Sequence, residues 1–153
     1  MKWITRERPK IDRVACPWLI ERFIDTEAEF LFAHPDEVSR KARETEAIPY
    51  DVEGVELSHD GPLCSFDALL KRYALDDPAL LSLAVIVRGA DTARLDLAPQ
   101  CAGLLAISLG LSRLYDDDHE QLRHGFVVYD ALYAWLRHAQ DETHSWNPQR
   151  SRA

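Results

Sequence analysis

The stretch 11-IDRVACPWLIERFID-25 decides how this chain folds. Between Val14 and Ile24 only Glu21 and Arg22 are charged, so the segment reads as a helix buried on most of its sides. Pro17 has no backbone N–H to donate and fits best in a first turn, which places the helix start near Cys16 and its end near Asp25. On that reading Cys16 stands at the positive end of a helix dipole, three residues from Arg13, where a thiol pKa is lowered. It is therefore a candidate reactive, catalytic cysteine, with a plain structural role as the alternative. Before this helix, "KWIT" has the aromatic and β-branched residues of a half-buried strand, and "EFLF" follows as another.

Further along, "IPYDV" and "VELS" alternate around "EG" and predict a small antiparallel hairpin. "PDEVSRKARE" is a polar surface helix. "SFDALLKRYAL" begins with Ser65 as its cap and Asp67 in its first turn. "DDPALLSLAVIVRGAD" has Pro78 in its first turn and Gly89 near its end. "LAPQCAGLLAISLGLSRLY" is apolar nearly all round and predicts a central helix, with Gly103 and Gly110 on one face where a neighbour can come close. Leu122, Phe126, Tyr129, Tyr133 and Leu136 form the stripe of a long amphipathic helix. The expected fold is mostly α (α+β): five to six helices with a small antiparallel sheet or hairpin. One domain is expected over 2–140, with a flexible tail over 141–153.

Composition narrows the function. The 153 residues suffice for one domain that buries about 70 % of its unfolded surface, and 46 % hydrophobic with 29 % charged residues is ordinary for a soluble protein. The N-terminus lacks the apolar run of a signal peptide, and no apolar run reaches the ~20 residues a bilayer needs, so a cytoplasmic chain without a membrane partner is expected. Three scattered cysteines, Cys16, Cys64 and Cys101, fit neither a disulfide framework nor a CxxC zinc knuckle. The net charge of −8 argues against general nucleic-acid binding. Residues 1–13 depart from this balance: Lys2, Arg6, Arg8, Lys10 and Arg13 face only Glu7 and Asp12. Such a segment can meet a small anion or pair with the chain's own acidic surface.

Metal ligands have to converge on one ion from separate elements. His59 and Cys64 in "SHDGPLCSFD", Asp91 in "RGAD" and His119 in "DDDHE" sit at element ends where convergence is possible. Each also has an ordinary reading as a solvated histidine, a small buried thiol or a helix-end charge. Arg13, Arg22 and Arg88 lie beside strongly apolar sequence, where a guanidinium needs a carboxylate or an oxyanion. Asp25, Asp91, Asp96 and Asp130 could supply internal ion pairs.

Four long stretches resemble the ChrB-type chromate-resistance domain: "KWITRERPKIDRVACPWLIERFID", "AIPYDVEGVELSHDGPLCSFD", "IVRGADTARLDLAPQCAGLLAISLGLSR" and "DDHEQLRHGFVVYDALYAW". The resemblance runs from Lys2 to about His138 and implies a role in chromate resistance, in longer relatives as a chromate-responsive regulator with an extra N-terminal region. A chain that begins at this domain is expected not to bind nucleic acid. The expectation is a cytoplasmic sensor or detoxification module. His59, Cys64, Asp91 and His119 would hold zinc, iron or manganese. Arg13, Arg22 and Arg88 would neutralise chromate, a tetrahedral oxyanion. Two alternatives stand beside it: a metal-dependent oxidoreductase or hydrolase, and a non-enzymatic, homodimeric partner of a regulator or transporter.

Overall fold

The computed structural model of the chain describes residues 1–145. Most of the expected tail, 141–153, lies outside the described residues. Strand β1 (Lys2–Arg6) leads to helix α1 (Asp12–Leu19), a wide π turn (Ile20–Ile24) and strand β2 (Glu29–Ala33). A short 3₁₀ turn precedes α2 (Val38–Thr45), which is followed by strand β3 (Ile48–Pro49). Four more helices complete the fold: α3 (Ser65–Arg72), α4 (Pro78–Asp91), α5 (Cys101–Leu114) and α6 (Asp118–His138). Six α-helices and a small sheet agree with a mostly helical domain.

The sheet is parallel, not antiparallel. Its order is β2-β1-β3, with Trp3 opposite Phe30 on one side and Ile48 on the other. A tight hairpin joins antiparallel neighbours, whereas a helix between two strands carries the chain back to start the next one in the same direction. α1 and α2 are those crossovers. The expected hairpin fails because only Ile48–Pro49 pairs, and it pairs with β1. Residues 51–58 turn instead, with Asp51 N–H donating to the Leu57 carbonyl at 2.7 Å. Helices cover both faces of the sheet, as parallel strands require. Trp3 and Phe30 face the main core with α1, α3, α4 and α6, while Ile4 and Ala33 meet Val38 and Ala42 of α2.

Helix α1 starts four residues earlier than expected, at Asp12, so Pro17 and Cys16 lie inside it. Pro17 leaves the Arg13 carbonyl without its usual donor, and the helix then widens, with Asp25 N–H reaching the Ile20 carbonyl at 2.7 Å. Ile11, just before the helix, has φ 43°, an outlier for a β-branched residue. Helix α6 holds this bend: the Tyr129 hydroxyl donates to the Ile11 carbonyl at 3.0 Å, and Gln121 Nε2 to the Pro9 carbonyl at 2.6 Å. The two helices also touch where Gly125 faces Val14, leaving no room for a Cβ, which would lie 2.6 Å from Val14 Cγ1.

Three smaller expectations also change. Cys64, not Ser65, is the cap residue of α3, with Asp67 accepting from the Cys64 N–H at 3.0 Å. Gly89 lies near the end of α4, as expected, and there makes room for the close approach of Cys101. Helix α5 is peripheral: it buries Cys101, Leu104, Ser108 and Ser112 and exposes Ile107, Leu109 and Leu114. Gly103 and Gly110 face open space, with no neighbour close by among the described residues. Among those residues no helix is long and apolar enough to cross a membrane.

Candidate metal centre

The carboxyl ends of β1 and β3 deliver two aspartates to one place. β1 runs into the loop that ends at Asp12, the first residue of α1, and β3 continues through Tyr50, whose N–H donates to the Ile4 carbonyl, into Asp51. Asp51 has φ 48°, a left-handed conformation that aspartate tolerates. Helix α4 ends on Asp91, and the loop before α3 brings in His59. Crevices at the carboxyl ends of parallel strands are where open α/β sheets place ligands.

His59 Nε2 lies 3.1 Å from Asp91 Oδ2, 3.3 Å from Asp51 Oδ1 and 3.7 Å from Asp12 Oδ2. Two atoms that each sit about 2 Å from one ion are roughly 3–3.5 Å apart, so these separations suit a shared cation. Asp12, His59 and Asp91 each offer one atom within 4.8 Å of the others, and among the described residues they are the group that could hold a metal.

Asp12 is fully buried, and its position is fixed by the start of α3. Its carboxylate accepts from Ser65 N–H at 2.7 Å, Phe66 N–H at 3.1 Å and the Cys16 thiol at 3.2 Å. It thus satisfies two of the amides that a helix start leaves without partners. Asp51 accepts from the Ser65 hydroxyl at 2.8 Å and from Arg6 at 3.1 Å, and pairs with Arg13 Nε at 3.5 Å. Burial, reinforced by Asp51 and Asp91, pushes the Asp12 carboxyl well above the usual range. Burial and then Asp51 raise Asp91, against the pull of His59. Like charges held together out of water favour either a proton or a cation. One imidazole can donate its single Nε2–H to only one of three carboxylates at a time, whereas a divalent ion satisfies several together.

The structure brings together only part of the expected ligand set. His59 and Asp91 meet, and Asp12 and Asp51, which the sequence reading missed, join them. In the sequence Asp12 stands out only as an acidic residue of a basic segment, and Asp51 only as part of the hairpin pattern. His119 lies elsewhere, with its ring 5.3 Å from Phe32 beside Asp116 and Asp117. Cys64 is buried with its thiol 3.4 Å from Asp67, outside the converging group. Cys16 stands inside α1, not at its positive end, and burial and then Asp12 raise its pKa, the reverse of the lowered value expected.

The three arginines expected to bind an anion do not converge. Arg22 makes a forked pair with Asp130 at 3.1 Å and reaches Glu21 at 2.7 Å. Arg88 pairs with Asp67 at 2.8 and 3.0 Å. Only Arg13 touches the carboxylate cluster, through Asp51.

A crossover sheet with an acidic crevice at its carboxyl edge is shared by many proteins, so the class rests on the whole chain. Residues 3–136 match the family described as "ChrB, C-terminal domain", and the chain belongs to that family. It is 34 % identical over 133 residues to Protein ChrB of Cupriavidus metallidurans strain CH34, a match that covers 86 % of this chain and 40 % of that protein. The chain therefore spans less than half the length of that relative. No solved structure matches it.

Proposed function

We propose that this chain is a chromate-resistance module built around a divalent metal ion held by Asp12, His59 and Asp91, with Asp51 beside them. Its membership in the ChrB family supports the chromate-resistance part of this reading. One observation carries the metal part: a single histidine nitrogen faces three carboxylates at 3.1–3.7 Å, a set it cannot satisfy alone. Oxygen donors outnumber nitrogen here and no thiol belongs to the converging group, so manganese or iron(II) suits the site better than zinc. The His59 side chain is 41 % exposed, which leaves one side of the centre open to solvent or a small ligand, as reactive metal sites require.

Elemental analysis of purified protein tests this reading, together with chromate tolerance of cells that express the chain. The proposal expects bound metal and raised tolerance, both lost in His59→Ala and both kept in His119→Ala. Metal content equal in wild type and His59→Ala would overturn the site, and tolerance unaffected by the wild-type chain would overturn the role.

A further inference from the structure

On the other side of Asp51 the charge reverses. Arg6, Arg8, Lys10, Arg13 and Arg113 line a cleft of about 520 Å³ where the end of β1, the start of α1 and the last turn of α5 meet. Glu7, the one carboxylate lining it, forms an ion pair with none of them. Such a concentration of cations stands out on a chain of net charge −8.

The five cations are not equally occupied. Arg8 closes the end of α5, donating to the Ser112 carbonyl at 2.9 Å and the Asp116 carbonyl at 3.1 Å. Arg13, 17 % exposed, donates to the Arg6 and Glu7 carbonyls at 3.2 and 3.0 Å, which fixes its guanidinium in place. Arg6 reaches Asp51 with one nitrogen, while its buried Nε has no acceptor. The side chains of Lys10 and Arg113 form no hydrogen bond or ion pair among the described residues. The cleft thus has a fixed guanidinium floor and two free cations at its rim.

We propose that this cleft is a binding site for a small tetrahedral oxyanion dianion, the class that includes sulfate and chromate, and that Asp51 links it to the carboxylate centre. Forked guanidinium donors match such oxygens, and the charge-assisted bonds they form are among the stronger ones. A nucleic acid fits less well, because the five cations are confined to one small cleft on a chain of net charge −8 and do not run along an extended stripe. The linkage follows from shared partners. Arg6 and Arg13 both contact Asp51, and Asp51 lies 3.3 Å from His59 Nε2. A cation at the centre draws on the Asp51 charge and leaves the two arginines less neutralised, so the cleft holds an anion more tightly. By reciprocity the anion favours the cation. The linkage rests on the proposed metal centre, whereas the oxyanion site stands on the cleft alone.

Calorimetric titration of the chelator-stripped chain with sulfate, and separately with chromate, at low ionic strength tests the oxyanion site without any metal. Saturable binding of one anion per chain is expected. The double variant Lys10→Ala/Arg113→Ala, which removes two exposed and unpartnered side chains, should weaken it about ten-fold or more while leaving Mn²⁺ binding unchanged. Absence of saturable binding, or equal binding by the double variant, overturns the oxyanion site. Repeating the sulfate titration with saturating Mn²⁺ should tighten binding by about five-fold or more, and Asp51→Asn should remove that gain. A chain that binds Mn²⁺ yet shows no change in sulfate affinity overturns the linkage. A chain that binds no Mn²⁺ overturns the linkage together with the metal centre, and the metal-free titration still decides the oxyanion site.

Discussion

Two clusters of charge stand back to back across Asp51, and they are built in opposite ways. The carboxylates of Asp12 and Asp51 are buried and held by backbone amides, a hydroxyl and guanidinium groups. The cations beyond them are mostly long, partly exposed side chains, two of which form no hydrogen bond or ion pair among the described residues. The difference is one of cost. Crowding buried like charges opposes folding unless a counter-ion arrives, so the inner cluster is tied to the stability of the fold. Solvated cations at a cleft rim cost little, so the outer cluster can change without disturbing the core. Substitutions inside should move stability and cation binding together, and those at the rim should move neither the fold nor the cation site.

The largest effect is expected at Asp12. Asp12→Ala strands the Ser65 and Phe66 amides and should cost about 2–4 kcal/mol in urea unfolding, with loss of Mn²⁺ binding. Asp12→Asn keeps an acceptor, so it should cost less stability and still lose the metal. That split would separate the two duties of this residue. His59→Ala comes next. Its effect on Mn²⁺ affinity should exceed the roughly 10- to 100-fold typical of outer partners, while stability stays within about 0.5 kcal/mol because the ring is half-exposed.

Tyr129→Phe probes the support behind the centre. It removes the donor to the Ile11 carbonyl and so loosens the bend that delivers Asp12. About 1 kcal/mol of stability should be lost, with a fall in Mn²⁺ affinity of about ten-fold. A loss of stability without a change in Mn²⁺ affinity would contradict this positioning role.

Two smaller predictions concern residues outside both clusters. Asp77 caps α4 through the Ala79 N–H and accepts from the Tyr133 hydroxyl of α6, and the Tyr133 bond, followed by that amide, lowers its pKa. A carboxylate with a lowered folded-state pKa contributes stability above its unfolded pKa of about 3.9 and loses it as the pH falls through the folded value. Thermal unfolding from pH 7 down to pH 3 should therefore show a shallower acid loss in Asp77→Ala, which also starts about 1 kcal/mol lower at neutral pH. The smallest effect is expected for Arg22→Ala. Its pair with Asp130 is partly exposed, so about 1 kcal/mol or less should be lost. Neither metal nor sulfate binding should change.

Local patterns in the sequence reached most of the fold. Pro78 in a first turn and the Leu122–Phe126–Tyr129 stripe depend on neighbours close in the chain, and α4 and α6 follow them. The sheet direction depends on what lies between the strands. "KWIT", a helix and "EFLF" in succession already carry a parallel crossover, a signal outweighed by the alternation around "EG". The candidate site was half legible. His59 and Asp91 stand out as polar residues at element ends, whereas Asp12 is hidden because its role depends on the amides of Ser65 and Phe66, more than fifty residues away. A signal was available in an aspartate opening an almost wholly apolar helix. That His119 belongs to another face, and that Arg22 and Arg88 turn to Asp130 and Asp67, are outcomes of tertiary packing that spacing does not encode.

The proposed cation site consists of Asp12, His59 and Asp91, with Asp51 beside them. Electron paramagnetic resonance of Mn²⁺ titrated into the chelator-stripped full chain tests it most directly, since bound ion loses the six-line signal of free ion. One site per chain is expected in wild type and in Lys10→Ala/Arg113→Ala, and none in a folded Asp91→Asn or His59→Ala variant. A free-ion signal undiminished by the wild-type chain, or equal Mn²⁺ uptake by the His59→Ala variant, would contradict it.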